Sequence, residues 1–333
     1  MKLLVVVLNF RQTDLTIDCL RSLESRHGGV PGTQVVVVGN GSGGGAPEKL
    51  RRAIEEHGWG SWASLLVSPT NLGFTGGNNL AIRRALSGDD RPELVLLLNS
   101  DTVVLDGALE ALKTFMDAHP RVGVAGSQLL SPEGEVRASP FRFHSALGEF
   151  ERGLRVEAVT RLLSRFRAPI FPVPTVAVAA DWVSGASMIL RASMLDQIGL
   201  LDEGLFTYFD DVDLCLRARR AGWEVWFVPE SRIVHYEGAS SGVTATSPRR
   251  WPAFYFQARR RFFLKNYGPV RAALVDAAFL VAFSSWRARR WATGCPDPDP
   301  PHLLADSIRH SVFVAGFSVD DVQPPTPEGG PRP

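Results

Sequence analysis

Short, uninterrupted apolar runs recur through the first 130 residues, and this feature restricts the possible folds more than any other. Between the runs lie segments whose apolar residues have helical spacing. Apolar strands that alternate with helices are typical of a parallel sheet with helices on both faces. In such sheets ligands bind at the carboxyl ends of the strands, so the residues after each strand are candidates for function. The predicted strands are 3–8, 34–38, 64–67, 94–98 and 122–125, and the predicted helices are 14–24, 47–57, 78–86 and 105–118.

Length and composition leave room for this sheet and exclude several other classes of protein. The chain has 333 residues, of which 45% are hydrophobic, so it can form one large α/β domain with an appendage. A wholly disordered chain and a collagen are excluded. The net charge of +1 gives no reason to expect nucleic acid as a partner. Three widely spaced cysteines argue against a disulfide framework or a zinc site and indicate a reducing compartment.

Several regions are predicted along the chain. Residues 1–240 form the α/β domain, in which the proline- and arginine-rich segment 137–178 is predicted to be an irregular insertion over the sheet. Residues 241–295 are predicted to be helical and are rich in aromatic and basic side chains. Residues 296–333 contain nine prolines and are expected to be largely disordered, apart from a short helix at 303–314. The N-terminal apolar run is too short for a secretion signal and is predicted to be a buried strand.

A glycine-rich segment at 39–44 matches the pattern G-x-G-x-x-G, which is typical of dinucleotide-binding folds. That pattern also requires an acidic residue at the end of the next strand to hold a ribose. No Asp or Glu occurs between Glu56 and Asp89, and the match follows the second predicted strand instead of the first. An ordinary glycine-rich turn is therefore the better interpretation than a dehydrogenase.

Carboxylates at two positions of the sequence are candidates for a role in catalysis or metal binding. Asp101 follows a predicted strand, where it can supply an oxygen ligand to Mg²⁺ or Mn²⁺ or simply cap a turn. Asp210, Asp211 and Asp213 crowd the start of the predicted helix 213–220, although one carboxylate suffices as a cap. A carboxylate in a partly apolar cleft can instead accept a proton from an attacking hydroxyl.

His235 and a second glycine-rich segment complete the candidates. His235 follows a strand-like segment; a lone histidine usually makes ordinary hydrogen bonds, but beside Asp101 it could join a metal site. Residues 71–79 read NLGFTGGNN and lead into the predicted helix 78–86. The glycines would allow backbone N–H groups to approach a phosphate at a helix N-terminus, and an ordinary turn is the alternative.

Four ordered motifs together resemble one known family. They are N-x-G-F-x-x-G-N-N at 71–79, L-N-x-D-T at 98–102, W-V-S-G-A at 182–186 and F-x-Y-F-D-D-V-D-L-C-L-R at 206–217. Over about residues 3–241 the chain resembles the rhamnosyltransferase-like branch of the family 2 glycosyltransferases. The resemblance implies the GT-A fold, an α/β architecture with a Rossmann-like, mostly parallel central sheet. It also implies transfer of a sugar from a nucleoside diphosphate sugar to an acceptor hydroxyl.

The resemblance implies roles for individual residues. Asp211 matches the base that deprotonates the acceptor, and Asp101 and His235 match the ligands of a divalent cation, Mg²⁺ or Mn²⁺. The other matches would bind substrate: Asn9 and Asn40 at the nucleobase and ribose; Asn71, Gly73, Gly76, Gly77 and Asn78 near the diphosphate; Asn99 at the first position of the metal motif; Asp210 next to the base; and Trp182, Gly185 and Ala186 at the donor sugar and acceptor. The implied mechanism is an inverting single displacement.

Two departures from the family pattern keep a second function open. Gly39 stands where the family has an Asp that helps to recognise the nucleobase, and Asn99 leaves Asp101 as the single carboxylate of the metal motif. Both favour a catalytically weak relative that binds nucleotide sugar or glycan as an assembly subunit. The retained Asp101, Asp211 and His235 favour the enzyme. Rhamnose from dTDP-rhamnose is favoured by resemblance alone, and UDP-sugars come next.

The C-terminal helices predict contact with a membrane. Between 249 and 290 ten Lys or Arg residues accompany one acid, Asp276, and aromatic side chains are interspersed, as in helices that lie among anionic headgroups. No apolar run of eighteen residues is free of charge, so embedding is predicted and not spanning. Packing on the catalytic domain is the alternative. By resemblance, we expect a cytoplasmic protein, peripheral on the inner face of the plasma membrane. It would use a glycan or lipid-linked acceptor in cell-surface polysaccharide synthesis.

Overall fold

The computed structural model describes residues 2–236 and 249–322, which form an α/β domain with a helical C-terminal region. The strands are β1 (Leu3–Asn9), β2 (Thr33–Asn40), β3 (Ala63–Ser68), β4 (Leu94–Asn99), β5 (Thr102–Val104), β6 (Val122–Leu130), β7 (Pro140–Phe141), β8 (Val178–Ala179), β9 (Trp182–Val183), β10 (Ser187–Arg191) and β11 (Glu224–His235). The helices are α1 (Thr13–Glu24), α2 (Ala46–Glu56), α3 (Gly73–Leu86), α4 (Ala108–Ala118), α5 (Ala146–Leu154), α6 (Glu157–Leu162), α7 (Ala192–Ile198), α8 (Asp210–Arg220), α9 (Ala253–Ala292), α10 (Leu303–Arg309) and α11 (Val312–Ala315).

Nine strands form the central sheet in the order β3-β2-β1-β4-β10-β6-β11-β5, with β8 added to β11. The strands β1 to β4 are parallel to one another, and β10 runs antiparallel between β4 and β6. The pairing aligns Asn9 with Gly39 and Leu8 with Asn99. The carboxyl ends of β1, β2 and β4 therefore meet at one edge, as the α/β prediction requires.

Both faces of the sheet are covered, which explains why its strands are apolar without alternation. In β1, Leu3, Val5 and Val7 pack with α1, α2 and α4 on one face. Leu4 and Val6 pack with α3, α7 and α8 on the other. Burial of apolar surface stabilises such a core by about 25 cal/mol per Å².

The strand predicted at 224–228 continues through Pro229 as β11 and ends at His235. The pairing of β11 with β6 is irregular between Val228 and Arg232, so the proline sits in a bulge where no ladder hydrogen bond is needed. The extension matters because it carries His235 to the edge where Asp101 lies.

The prediction of an irregular insertion at 137–178 is wrong for its middle part, which contains α5 and α6. The Ser145 hydroxyl caps α5 by accepting a hydrogen bond of 3.1 Å from the Gly148 amide. Gly153 allows close packing on α9, because a Cβ there would lie 2.9 Å from the Phe283 amide nitrogen. The prolines around the insertion concealed this helix.

The helix α9 is broken at Gly268, whose φ of +76° is not helical, just before Pro269. Arg259 pairs with Asp276, although a straight helix would separate these residues by about 25 Å. The two halves, 253–267 and 269–292, therefore fold back on each other. We call them the C-terminal hairpin.

The expected short helix at 303–314 is present as two helices, α10 and α11, and the expectation of disorder is wrong for the rest of residues 296–322. Asp306 accepts two hydrogen bonds from Arg250, at 2.8 and 2.6 Å, and Val322 is buried. The amide of Val312 donates to the buried Asp276 at 2.8 Å. These polar anchors outweigh the prolines of the segment. The remaining residues, 323–333, and the start of the predicted helical region, 241–248, lie outside the described range.

Candidate active site

Asp101 and His235 meet at the carboxyl edge of the sheet. The Nε2 atom of His235 lies 3.3 Å from Oδ1 of Asp101, and both side chains are largely buried. The backbone fixes this geometry, because the Tyr236 amide donates to the Asp101 carbonyl at 3.0 Å and Thr102 pairs with His235. The hydroxyl of Thr102 closes the turn before it by donating to the Asn99 carbonyl at 2.7 Å.

The donor atoms of this pair suit a divalent cation that arrives with a phosphate group. A carboxylate oxygen and an imidazole nitrogen are acceptable ligands for Mn²⁺, and Mg²⁺ is often bound by one or two carboxylates plus substrate phosphates. Within residues 2–236 and 249–322 no group of three or more His, Cys, Asp or Glu is arranged to hold a metal. The residues fit a cation only if phosphate oxygens or water complete its coordination.

Asn99 lies between this pair and the next part of the site. Its Nδ2 atom is 3.3 Å from Nε2 of His235. Its backbone amide donates to the carbonyl of Ala186 at 3.0 Å. Ala186 follows Gly185, so β4 brings the predicted metal motif and the W-V-S-G-A motif together.

Asp211, at the start of α8, is held by two backbone amides. Gly185 donates to Oδ2 at 3.2 Å, and Val212 donates to Oδ1 at 2.8 Å. A Cβ at Gly185 would lie 3.3 Å from the ring of Phe74, a close contact that would require the ring to shift by a few tenths of an ångström. The carboxylate of Asp211 thus has a fixed orientation beside Gly185.

Burial changes the acid–base properties of Asp211 and Asp210. Burial raises the pKa of Asp211, and hydrogen bonds from Gly185 and Val212 partly offset the rise. Burial, followed by the charge of Asp211, raises the pKa of Asp210 well above its ordinary value. A carboxylate with a raised pKa is a stronger base near neutral pH than an exposed one. The arrangement suits Asp211 as a proton acceptor.

The turn before α8 is strained in a way that the sequence did not reveal. Phe206, Tyr208 and Phe209 have positive φ values of 59°, 69° and 60°. Each such residue costs on the order of 1–3 kcal/mol and persists only where its surroundings enforce it. Here Thr75 donates its amide and its hydroxyl to the Phe206 carbonyl, at 3.2 and 3.3 Å. Packing therefore fixes the turn that presents Asp211.

The predicted substrate residue Asn40 has its side chain fully engaged within the protein. Its Nδ2 donates to Oδ1 of Asn71 and to the carbonyl of Gly73, both at 3.0 Å. Its Oδ1 accepts from the Leu72 amide at 2.9 Å. The amide of Asn40 thus holds the 71–73 turn in place, and it is not free to read a nucleobase.

The glycines of 71–79 serve packing in the structure. Helix α3 begins at Gly73, and a Cβ on Gly73 or Gly77 would overlap the Phe206 carbonyl or the Leu8 side chain, respectively. A Cβ on Gly76 would lie 2.9 Å from Cβ of Leu72. The expected row of free N–H groups is not present, because the amides of residues 72, 73 and 75 all donate within the protein. Asn78 likewise donates its side chain to the Phe74 carbonyl at 2.8 Å.

Two other predicted residues border the site in different ways. Asn9 is fully buried, accepts from the Gln12 amide at 3.1 Å, and leaves Nδ2 without a partner among the described residues. Trp182 stacks on Phe141 with ring centroids 4.1 Å apart and donates to the Arg142 carbonyl at 2.9 Å. Asn9 therefore keeps an unused donor, whereas Trp182 is fixed by the insertion.

Sequence reasoning missed His144, because the insertion was expected to be irregular. The His144 ring centroid lies 5.5 Å from that of Phe209 and 6.1 Å from that of Trp182. The capping serine next to it, Ser145, was the available signal that a helix starts there. A groove of about 590 Å³ between α1 and α2 contains none of the predicted residues.

Comparison with known proteins gives a consistent picture. Residues 2–253 match the family described as Glycosyltransferase like family 2. An N-acetylglucosaminyl-diphospho-decaprenol L-rhamnosyltransferase of Mycobacterium tuberculosis is 29% identical over 223 residues, which are 62% of this chain and 68% of that protein. A low-salt glycan biosynthesis hexosyltransferase, Agl10 of Haloferax volcanii, is 28% identical over 219 residues, covering 65% of this chain and 61% of that protein.

Solved structures resemble the fold at low sequence identity. The mannosyltransferase PcManGT of Pyrobaculum calidifontis, solved with GDP-Man and Mn²⁺, has a TM-score of 0.55 at 17% identity and covers 95% of this chain and 84% of its own. GalNAc-T7, solved with UDP, GalNAc and Mn²⁺, has a TM-score of 0.59 at 14% identity and covers 92% and 58%. The predicted GT-A fold is confirmed.

Proposed function

Because the chain belongs to glycosyltransferase-like family 2 and is a sugar transferase, we propose that it moves a hexose from a nucleoside diphosphate sugar to a hydroxyl of a lipid-linked glycan. Rhamnose is the favoured hexose. The observation that carries this proposal is a series of contacts across the end of β4. Asn99 links the Asp101–His235 pair to Ala186, and the adjacent Gly185 orients Asp211. A cation site and a base thus share one edge of the sheet.

On the donor side, Asp101 and His235 would hold Mg²⁺ or Mn²⁺. Such a cation offsets negative charge on the leaving diphosphate when it is bound. Asn9, predicted to lie at the nucleobase and ribose, has an Nδ2 donor without a partner among the described residues. dTDP-rhamnose is the first donor to test and UDP-sugars are the second, since a rhamnosyltransferase is among the relatives.

On the acceptor side, Asp211 takes the proton of the attacking hydroxyl. The acceptor oxygen forms a bond to the anomeric carbon while the bond from that carbon to the diphosphate oxygen breaks, which inverts the anomeric configuration. The Gly185 amide keeps Oδ2 in place, and burial raises the pKa of Asp211 toward the range of a useful base. No covalent intermediate with the protein is needed.

Sugar transfer by the purified protein tests the proposal. The donors are dTDP-rhamnose, UDP-glucose and UDP-N-acetylglucosamine, and the acceptor is a short-chain prenyl-diphospho-N-acetylglucosamine, chosen from the name of the mycobacterial relative. We expect transfer with added Mg²⁺ or Mn²⁺ and its loss with EDTA. Transfer that is unaffected by EDTA would contradict the metal assignment, and retention of the anomeric configuration would contradict the mechanism.

A binding subunit with weak catalysis is the second candidate. The absence of a third ligand beside Asp101 and His235 in the described part of the chain favours it, together with Gly39 in place of an acid. It predicts that a donor nucleotide raises the melting temperature of the protein without turnover. Turnover of any donor at a rate typical of enzymes would exclude it.

The second half of the C-terminal hairpin supports a membrane-facing role. By length and composition α9 could cross a bilayer, but one side of 269–292 is buried in the protein, including Ala272, Val275 and Phe279. Val270 and Val281 are 72% and 66% exposed, on the opposite side of the helix. Since exposed apolar side chains on a basic helix suit the headgroup layer, we place this side on the anionic, cytoplasmic face of the plasma membrane.

Co-sedimentation with vesicles tests the membrane proposal. We expect binding to vesicles with anionic lipid, weakening with salt, and little binding to neutral vesicles. Val281→Asp should reduce binding, and Val136→Asp, at an exposed valine of the catalytic domain, is the matched control. Equal binding of both variants would show that the hairpin face is not the contact.

A further inference from the structure

His144 lies beside the turn that carries Asp211, although the mechanism above does not use it. Its ring is 5.5 Å from Phe209 and 6.1 Å from Trp182, measured between centroids. Phe209 precedes Asp211 by two residues, and Trp182 precedes Gly185 by three. Because Gly185 donates to Asp211, these neighbours place His144 at the acceptor side of the site.

Glu149 fixes the orientation of the His144 ring. Nδ1 of His144 lies 3.1 Å from Oε1 of Glu149. The other oxygen of Glu149, Oε2, accepts from Arg152 at 2.6 Å and from Arg259 at 3.1 Å. Burial raises the pKa of Glu149, but the charges of Arg152 and Arg259 outweigh burial and hold the pKa well below its ordinary value. Glu149 therefore stays a carboxylate at neutral pH, and the proton of His144 lies on Nδ1.

The other ring nitrogen, Nε2, remains available to a ligand. Only Nδ1 of His144 has a hydrogen-bond partner among residues 2–236 and 249–322, and 18% of the side chain is exposed. The ring lines a cavity of about 270 Å³ between α5 and residues 166–169. This volume is close to the lower end of ligand sites, roughly 300 Å³.

We propose that His144 binds a hydroxyl of the acceptor sugar other than the attacking one, through Nε2, and that Glu149 is the positioning residue that keeps Nδ1 occupied. This inference rests on the proposed function. The proton of the attacking hydroxyl still goes to Asp211, and His144 neither gains nor loses a proton in the step. His144 thus determines which acceptor is accepted and how it is oriented.

The test replaces the ring nitrogens while keeping an aromatic ring. His144→Phe should raise KM for the prenyl-diphospho-N-acetylglucosamine acceptor about tenfold, the effect of one lost hydrogen bond in a closed site. Donor-nucleotide binding should stay at the wild-type value. Glu149→Gln should change the acceptor KM in the same direction by less. His119→Phe is the matched control, since His119, which directly follows α4, also stacks on an aromatic ring, that of Phe115, with centroids 4.2 Å apart.

Acceptors that lack single hydroxyl groups sharpen this test. One of these deoxy acceptors should bind the wild type about tenfold more weakly than the parent acceptor does. The same deoxy acceptor and the parent acceptor should bind His144→Phe equally well. Wild-type acceptor KM in His144→Phe would overturn the inference and leave the proposed function intact. A parallel loss of donor binding would also overturn it, because the residue would then be structural. Lack of transfer by the wild type would remove the proposed function and this inference together.

Discussion

The two sides of the site are built in different ways. Asn99, Asp101 and His235, which we assign to the donor, lie at strand ends of one sheet, and the pairing of those strands fixes their positions. Asp211, which we assign to the acceptor, lies after a strained turn that packs against α3, the insertion and the C-terminal hairpin. The donor side thus follows from strand pairing within one sheet, whereas the acceptor side depends on three other segments of the chain.

The largest expected effect separates chemistry from binding. Asp211→Asn keeps the size of the side chain but removes the proton acceptor, so transfer should fall by about 10²- to 10⁴-fold. Donor binding, measured by the rise in melting temperature with nucleotide, should be unchanged. Asp196→Asn, at a half-exposed residue of α7 paired with Arg91, is the control. Transfer at the wild-type rate by Asp211→Asn would contradict the division into two sides.

The reciprocal change concerns the donor side. Asp101→Asn should weaken metal-dependent donor binding by at least about 10- to 100-fold, since even loss of an outer-shell partner has that effect on metal sites. It should leave the acceptor KM unchanged when donor is saturating. Binding titrations with and without Mn²⁺ measure the effect. A change confined to the acceptor KM would contradict the assignment of Asp101 to the donor side.

The sequence predicts the donor side better than the acceptor side, because strand ends follow from local patterns whereas the acceptor side depends on tertiary packing. Apolar runs predict strands whose carboxyl ends meet at one edge, so the sequence places Asp101 there. The family resemblance supplied His235 as its partner, whereas the antiparallel pairing of β5 with β11 that joins the two residues was not predicted. Nothing in the sequence indicates that the side-chain amide of Asn40 would donate to Asn71 and Gly73, because those contacts depend on three-dimensional packing. His144 was missed for a related reason, since the prolines around 137–178 concealed a capped helix.

A smaller effect tests whether the acceptor-side turn is held by packing against α3. Gly73→Ala places a methyl group on the Phe206 carbonyl at a position with φ +70°, whereas Gly58→Ala, with φ +69°, meets open space. Both should lose about 1–2 kcal/mol from the left-handed backbone, and Gly73→Ala about 1–3 kcal/mol more from overlap. Urea unfolding measures both free energies. Equal losses would mean that the turn relaxes freely.

The smallest effect concerns how the C-terminal hairpin holds the loop before the acceptor-side turn. Lys265 lies 2.8 Å from Asp202 and 2.9 Å from Asp213. Burial raises the pKa of Asp202, but hydrogen bonds from Lys265 and Arg261 lower it to about 2. A depressed pKa contributes stability above the ordinary value of 3.8, and that contribution is lost as pH falls toward 2.

Removal of Lys265 should therefore flatten the acid limb of the stability curve. Between about pH 5 and pH 2.5 the free energy of unfolding of the wild type should fall by about 1 kcal/mol more than that of Lys265→Met, because partly exposed ion pairs contribute little. Lys49→Met, which removes an exposed pair with Asp14, is the control and should keep the wild-type slope. If both variants flatten the curve equally, the ion pair with Lys265 makes no specific contribution to the low pKa of Asp202. The hairpin would then order the acceptor side through apolar packing, such as that of Phe262 on Phe209, and not through this ion pair.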